Sequence, residues 1–360
     1  MKFIIVAGGQ GTKIWPYSRK SKPKQFQILV GKKSLFTYNI DVLLEEFAPE
    51  DMFISTKKQY VALALEQAPR IPIKNYIIEP DVAKNRGPAE GFAFVKLSLI
   101  HPDEPFIIIQ PDDIRIPKKL YLDAIYDMER LVIRDRKFIT GGIRPTFPTL
   151  GVDYLELGEK VDINTNQKIY KVKNFLGRKL DYSATKEMVK NNGVMIHCNH
   201  ACWYPDLMLE AYKQYKPDWY KALMEIKDCI GQPNEEENIE KIYETMESGP
   251  TEIVTENIFK DGYLLELPFK WVDIGTWNSL YQYVSEGNDK SHTEGNVIAL
   301  DSTGTLVKST KKDKLIATYG LNDMIVIDTE DILLIMPRDK ADKIGEIRKE
   351  IEDKKMDEYL

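Results

Sequence analysis

Ala7-Gly8-Gly9-Gln10-Gly11-Thr12-Lys13-Ile14-Trp15-Pro16 directly follows the short apolar run Phe3–Ala7. Glycines in a turn after a buried strand let the backbone approach an anion closely and aim its amides at it. Lys13 can then meet phosphates as a point charge. The spacing is neither the dinucleotide fingerprint G-x-G-x-x-G nor the phosphate loop that ends in Gly-Lys-Ser/Thr. Taken alone, a glycine turn after a strand is more often structural. The sequel Pro23-Lys24-Gln25-Phe26 shifts the balance by adding a second lysine about a dozen residues on.

Outward from this turn, the first half of the chain alternates short apolar runs with longer amphipathic ones. Phe3–Ala7, Met52–Ser55, Tyr76–Glu79, Phe106–Gln110 and Phe138–Gly142 read as buried strands, short and bounded by turn residues. Pro88 suits a first helical position, with Phe92, Val95 and Leu99 following at helical spacing. This alternation predicts an α/β fold, a Rossmann-like, mostly parallel sheet flanked by helices on both faces. Such sheets bind ligands beyond the carboxyl ends of their strands, where Gly8–Pro16, Pro80–Pro88 and Pro111–Arg115 fall. Tyr154–Lys179 reads as an antiparallel insertion, and Asn234–Gly249 as an acidic surface helix. The polar stretch Glu286–Gly295 marks a boundary. Five short strands follow between Val297 and Met336, then a charged helix, Lys340–Lys354. Two domains are expected, 1–287 and a small C-terminal β domain over 288–360, β-helix-like with a terminal helix.

A chain of 360 residues exceeds what one core usually organises. Its net charge of −6 argues against a polyanion-binding surface, so no nucleic acid is expected. No apolar run approaches the ~20 residues that span a bilayer. The apolar start is too short for a secretory signal and is broken by glycine. The three cysteines, Cys198, Cys202 and Cys229, suit a reducing compartment, and the expected location is the cytoplasm.

Gly-Gly-x-Gly-Thr-Arg-Leu-Trp-Pro followed by Pro-Lys-Gln-Phe opens the mannose-1-phosphate guanylyltransferases, and Gly8–Pro16 with Pro23–Phe26 resembles that opening. Lys13 stands at the family's catalytic arginine. The resemblance runs nearly end to end. Glu79-Pro80 through Asn85-Arg86-Gly87-Pro88 is similar to the family's base-facing loop, with Arg86 for a threonine. Pro111-Asp112-Asp113-Ile114 resembles Pro-Ser/Ala-Asp-His. Trp271-Val272-Asp273-Ile274-Gly275-Thr276-Trp277 is similar to Trp-Ser-Asp-Val-Gly-Ser-Trp. On the sugar side, Gly142–Pro148 matches well, whereas Gly177-Arg178-Lys179 stands at the family's Glu-Lys-Pro and lacks its glutamate. The tail follows the family's C-terminal β domain. An added isomerase domain, which bifunctional relatives carry, is not expected.

The resemblance implies transfer of GMP from GTP to mannose 1-phosphate, giving GDP-mannose and pyrophosphate. Lys13 and Lys24 are the implied catalytic residues. Gly8, Gly9, Gly11, Thr12, Glu79, Asn85 and Pro88 would bind the nucleotide, and Gly151, Arg178 and Asn191 the sugar phosphate. Asp113 and Asp273 would hold Mg²⁺, with Asp112 an adjacent carboxylate that competes for the role. Hard oxygen ligands suit that ion. A homodimer is left open. Two alternatives stand beside this reading: a pyrophosphorylase for another sugar or nucleotide, and a non-catalytic regulatory homologue. The cluster His197-Cys198-Asn199-His200-Ala201-Cys202 raises zinc. A strand there would turn neighbouring side chains to opposite faces, which favours a purely structural segment.

Overall fold

The five apolar runs of the first half all form strands close to their expected bounds. In chain order the strands are β1 (Lys2–Val6), β2 (Met52–Lys57), β3 (Tyr76–Glu79), β4 (Phe106–Ile109), β5 (Asp113–Ile116), β6 (Ile139–Ile143), β7 (Asp153–Val161), β8 (Ile169–Arg178), β9 (Val194–His197), β10 (Cys202–Trp203), β11 (Tyr263–Glu266) and β12 (Lys270–Asp273). The computed structural model describes residues 1–163, 165–190 and 192–360. By contact the chain forms two units. One comprises Met1–Gly8, Asp41–Pro111 and Arg115–Trp271; the other Gly9–Ile40, Asp112–Ile114 and Val272–Leu360. The expected domains were linear segments, whereas these units are each gathered from separate stretches.

The first unit is built on a ten-stranded sheet among the described residues, ordered β11-β8-β7-β9-β6-β10-β4-β1-β2-β3. β3, β2, β1 and β4 pair in parallel, with Ile4 opposite Phe53 and Ile108. β6 and β11 are also parallel. Antiparallel β7 and β8 form the expected insertion, and they join the main sheet through β9 and β11. The sheet is therefore mixed, parallel in the half that carries the first four apolar runs. Helices Arg86–Ile100, Pro205–Tyr215, Pro217–Cys229 and Glu235–Thr245 contribute to a core with Phe53, Phe94, Phe106, Tyr212, Trp219 and Leu223. Pro88 is the third residue of its helix rather than the first. A first-turn proline loses nothing there, because its missing N–H has no intrahelical acceptor.

In the second unit the chain after Gly287 forms β13 (His292–Glu294), β14 (Val297–Leu300), β15 (Leu306–Ser309), β16 (Ile316–Tyr319), β17 (Met324–Asp328) and β18 (Leu333–Pro337). β13, β15 and β17 stack in parallel, β14 pairs in parallel with β16, and β18 closes the edge antiparallel to β17. β13 lies in the stretch read as patternless. Three polar residues show no alternation, and register with β15 and the Glu294–Lys308 ion pair hold them instead. Leu306, Ile325 and Ile327 share one apolar core with Ile14, Trp15, Leu35, Ile114, Ile274 and Trp277. The glycine-rich turn is thus built on the core of the C-terminal strands.

Candidate functional site

In the second unit, Gly11 sits at φ +60°, and a Cβ there would collide with Lys24 Cβ. Only glycine serves a left-handed position with a backbone pressed against it. Thr12–Ile14 make one 3₁₀ turn, which leaves Lys13 exposed, and Lys24–Phe26 make another. Gln25 Nε2 donates to Gly9 O at 3.0 Å and ties the two turns together. Lys24 is buried, and its ammonium donates to Ile274 O at 3.1 Å. It also lies 2.5 Å from Asp112 Oδ2 and 3.6 Å from Asp273 Oδ1. Burial opposes the Lys24 charge, but Asp112, Asp273 and Asp113 outweigh it and raise the pKa above the ordinary lysine value. Asp112 is therefore the aspartate of the acidic turn seated on Lys24. Asp113 is buried, and its carbonyl accepts from Asn39 Nδ2 at 3.0 Å.

Asp273 ends β12, and the next helix, Trp277–Val284, opens with a capping box. Thr276 Oγ1 accepts from Ser279 N, and Ser279 Oγ accepts from Thr276 N. Trp277 Nε1 then donates to Trp15 O at 2.8 Å, so the two halves of the site share one anchor. Trp15 Nε1 in turn donates to Tyr359 O at 2.7 Å.

In the first unit, Gly8 is packed against Glu79; a Cβ there would lie 3.1 Å from Glu79 Oε1. Glu79 accepts from Ser55 Oγ at 2.7 Å. Burial raises its pKa, partly offset by the Ser55 bond and Lys57. Asn85, exposed and at φ +65°, caps the helix by accepting from Arg86 N at 2.7 Å. Arg86 bonds Glu90 Oε1 at 2.7 Å and Glu252 Oε1 at 3.0 Å, while Thr251 Oγ1 donates to Glu90 Oε2. Tyr212 OH donates to Gly87 O, and Gly87 N to Gly249 O. The start of this helix, Asn85–Pro88, is thereby fixed to residues 249–252, and Arg86 is part of the fixing. A cavity of about 660 Å³ runs beside β3 with Glu79 in its wall. None of the other expected residues lines it.

Gly151, at φ +76°, and Arg178 lie at one end of the β7–β8 hairpin, where Gly151 N donates to Lys179 O. Arg178 is exposed and lies 3.4 Å from Asp153 Oδ2. Asn191 lies outside the described residues. The His/Cys cluster is spent on separate contacts: His197 with Thr140, His200 with Arg115, and Cys202 with Met1. Among the described residues no group of three or more His, Cys, Asp or Glu is arranged to hold a metal. The acidic cluster instead supplies two carboxylates facing one cation. Sequence reading missed Asp112 on Lys24, Ser55 on Glu79 and the Arg86–Glu90–Glu252 triad. The doubled aspartate and the i,i+4 spacing of Arg86 and Glu90 were the available signals.

Residues 2–131 match the family model of the nucleotidyl transferases, and residues 295–351 that of the MannoseP isomerase/GMP-like beta-helix domain. The xanthan biosynthesis protein XanB of Xanthomonas campestris pv. campestris is 25% identical over 355 residues, 97% of this chain and 72% of its own. A mannose-1-phosphate guanylyltransferase of Escherichia coli is 24% identical over 349 residues, 96% of this chain and 74% of its own. The crystal structure of a mannose-1-phosphate geranyltransferase from Thermus thermophilus superposes with a TM-score of 0.85 at 22% identity, covering 98% of this chain and 99% of the other. No helix among the described residues is long and apolar enough to cross a membrane.

Proposed function

We propose that this chain, which carries a nucleotidyl transferase domain and a MannoseP isomerase/GMP-like beta-helix domain, transfers GMP from GTP to mannose 1-phosphate. The observation that carries the reading is the buried Lys24 ammonium between Asp112 and Asp273, beside the glycine turn. A phosphate oxygen of the sugar phosphate is already anionic, so no base is needed to make the nucleophile. That oxygen bonds the α-phosphorus while the bond to the β-phosphate oxygen breaks, and pyrophosphate leaves. What remains for the protein is alignment and neutralisation of charge. Gly8, Gly9, Gly11, Thr12 and exposed Lys13 take the triphosphate and nucleoside, and Lys24 takes a phosphate at the reacting centre. Glu79, Asn85 and Pro88 are assigned to the base, and Gly151, Arg178 and, from the sequence alone, Asn191 to binding the sugar phosphate.

Asp112 and Asp273, which in this structure bracket the Lys24 ammonium, carry the hard carboxylate oxygens that would hold Mg²⁺, with Asp113 beside them. When bound, the ion would neutralise phosphate oxygens. A cytoplasmic setting is supported by three cysteines that are all free thiols. The missing glutamate at Gly177 and the Arg178–Asp153 contact favour, as second reading, a different sugar 1-phosphate.

Pyrophosphate release tests this, with GTP, Mg²⁺ and mannose 1-phosphate run beside ATP, UTP, CTP, dTTP and glucose 1-phosphate. Release that requires GTP and mannose 1-phosphate together is expected. Release with another pair would transfer the chemistry to another substrate. Silence from folded, nucleotide-binding protein would overturn the catalytic reading in favour of a regulatory one.

A further inference from the structure

The turn that carries Asp112 is closed by a side chain to which the reaction gives no role. Arg115, buried to 2% exposure, reaches back so that Nη2 donates to Gln110 O at 3.0 Å, five residues earlier. Its Nε donates to His200 Nε2 at 3.0 Å. The guanidinium carbon stands 5.0 Å from the Tyr121 ring centre, and the His200 ring meets Tyr121 and Phe269 edge-on. A guanidinium does not give up its proton, so Nε2 of His200 must offer a lone pair and the imidazole is neutral with its proton on Nδ1. Burial first, then Arg115, holds the His200 pKa well below its ordinary value, which agrees with that tautomer. Burying a guanidinium is expensive, and an apolar side chain would fill the same space at less cost. What the arginine adds is direction: a bond across the stem of the turn, with the far side of the group held by an acceptor that cannot rotate away from two aromatic rings.

We propose that Arg115 and His200 are positioning residues for the transfer reaction, clasping the stem of the turn Pro111–Ile114 so that Asp112 stays seated on Lys24. The inference rests on the function proposed above. It also accounts for one histidine of the cluster that sequence reading left without a task.

Four variants test it: Arg115→Lys, Arg115→Met, His200→Leu and His200→Gln. The glutamine keeps an acceptor for Arg115, whereas the leucine does not. Hydrogen exchange of the peptide spanning Gln110–Arg115 is measured alongside steady-state kinetics, well below the melting temperature of each variant. Faster exchange in that peptide is expected for Arg115→Lys, Arg115→Met and His200→Leu, with kcat down about ten- to a hundredfold and KM for the sugar phosphate within about twofold. His200→Gln should recover most of both effects. Wild-type exchange and kcat in Arg115→Lys and His200→Leu would overturn the inference. So would a His200→Gln protein no better than His200→Leu, since a merely space-filling histidine predicts that result. If the wild type itself releases no pyrophosphate with any substrate pair, the functional reading fails, and the exchange data still decide whether the clasp exists.

Discussion

Lys24 meets Asp112, Asp273 and Ile274 O with its single ammonium, and this one side chain ties three distant stretches of sequence together. Lys13 is its opposite, exposed and unconstrained by packing. Replacing Lys13 with arginine should therefore leave stability unchanged while restoring a two-pronged grip on phosphate, and we expect kcat/KM for the nucleotide to rise by about threefold to tenfold. A steady-state comparison with equal or lower turnover would show that the site is fitted to lysine. His197 gives a second prediction. Its Nε2 lies 2.8 Å from Thr140 Oγ1; burial lowers its pKa to about 4, with Arg86 adding to that and Glu252 opposing it. Because the folded state binds the proton less tightly than the unfolded state, the stability at stake is present above about pH 6.5 and is lost as pH falls toward 4, to the extent of about 3 kcal/mol. His197→Gln keeps a hydrogen-bonding group and cannot titrate, so its urea midpoint should fall less than the wild type's between pH 7 and 5. Parallel midpoints would refute the assignment. Residue types and spacing singled out Gly8–Lys13 and Lys24, and the family resemblance singled out Asp273; the structure brings Lys24 and Asp273 within 3.6 Å of each other. The choice between Asp112 and Asp113 was not legible, because adjacent carboxylates differ only in which way the folded turn points them.

The glycine turn and the Lys24 turn behave as one element, because Gly11 is the space into which Lys24 fits. Gly11→Ala should both strain a left-handed residue, at about 1 kcal/mol, and push Lys24 off its carboxylates. Activity is expected to fall more than tenfold while the melting temperature drops by only a few degrees. A drop in melting temperature without loss of activity would separate the two turns. Among the strands, the short apolar runs were legible because burial on both faces leaves a continuous hydrophobic signature. β13 was not, because its three residues are held by ladder register and an ion pair instead of apolar alternation. Arg86, the first residue of its helix, shows the same limit: Glu90 lies at ordinary i,i+4 helical spacing, but Glu252 is 166 residues away and no local pattern joins it to Arg86.

At the scale of the molecule, the second unit gathers Gly9–Ile40, Asp112–Ile114 and Val272–Leu360 around one core. Residues 1–287 expressed without the C-terminal strands would leave Ile14, Trp15, Tyr17 and Trp277 without Leu306, Ile325 and Ile327. Trp15 would also lose its acceptor at Tyr359. Such a fragment should bind a hydrophobic dye and release no pyrophosphate, although its ten-stranded sheet should persist by circular dichroism. An active, dye-silent fragment would establish 1–287 as an autonomous catalytic domain. The sequence by itself determined the α/β class, the antiparallel insertion and the small β region at the end, because periodicity and turn chemistry are local and survive in one dimension. Only the tertiary structure decided that Asp112 is the aspartate on Lys24, that the glycine turn stands on the core of the C-terminal strands, and that Arg115 closes the acidic turn. Each of these depends on groups brought together by burial of a shared core, and that burial has no counterpart in spacing along the chain.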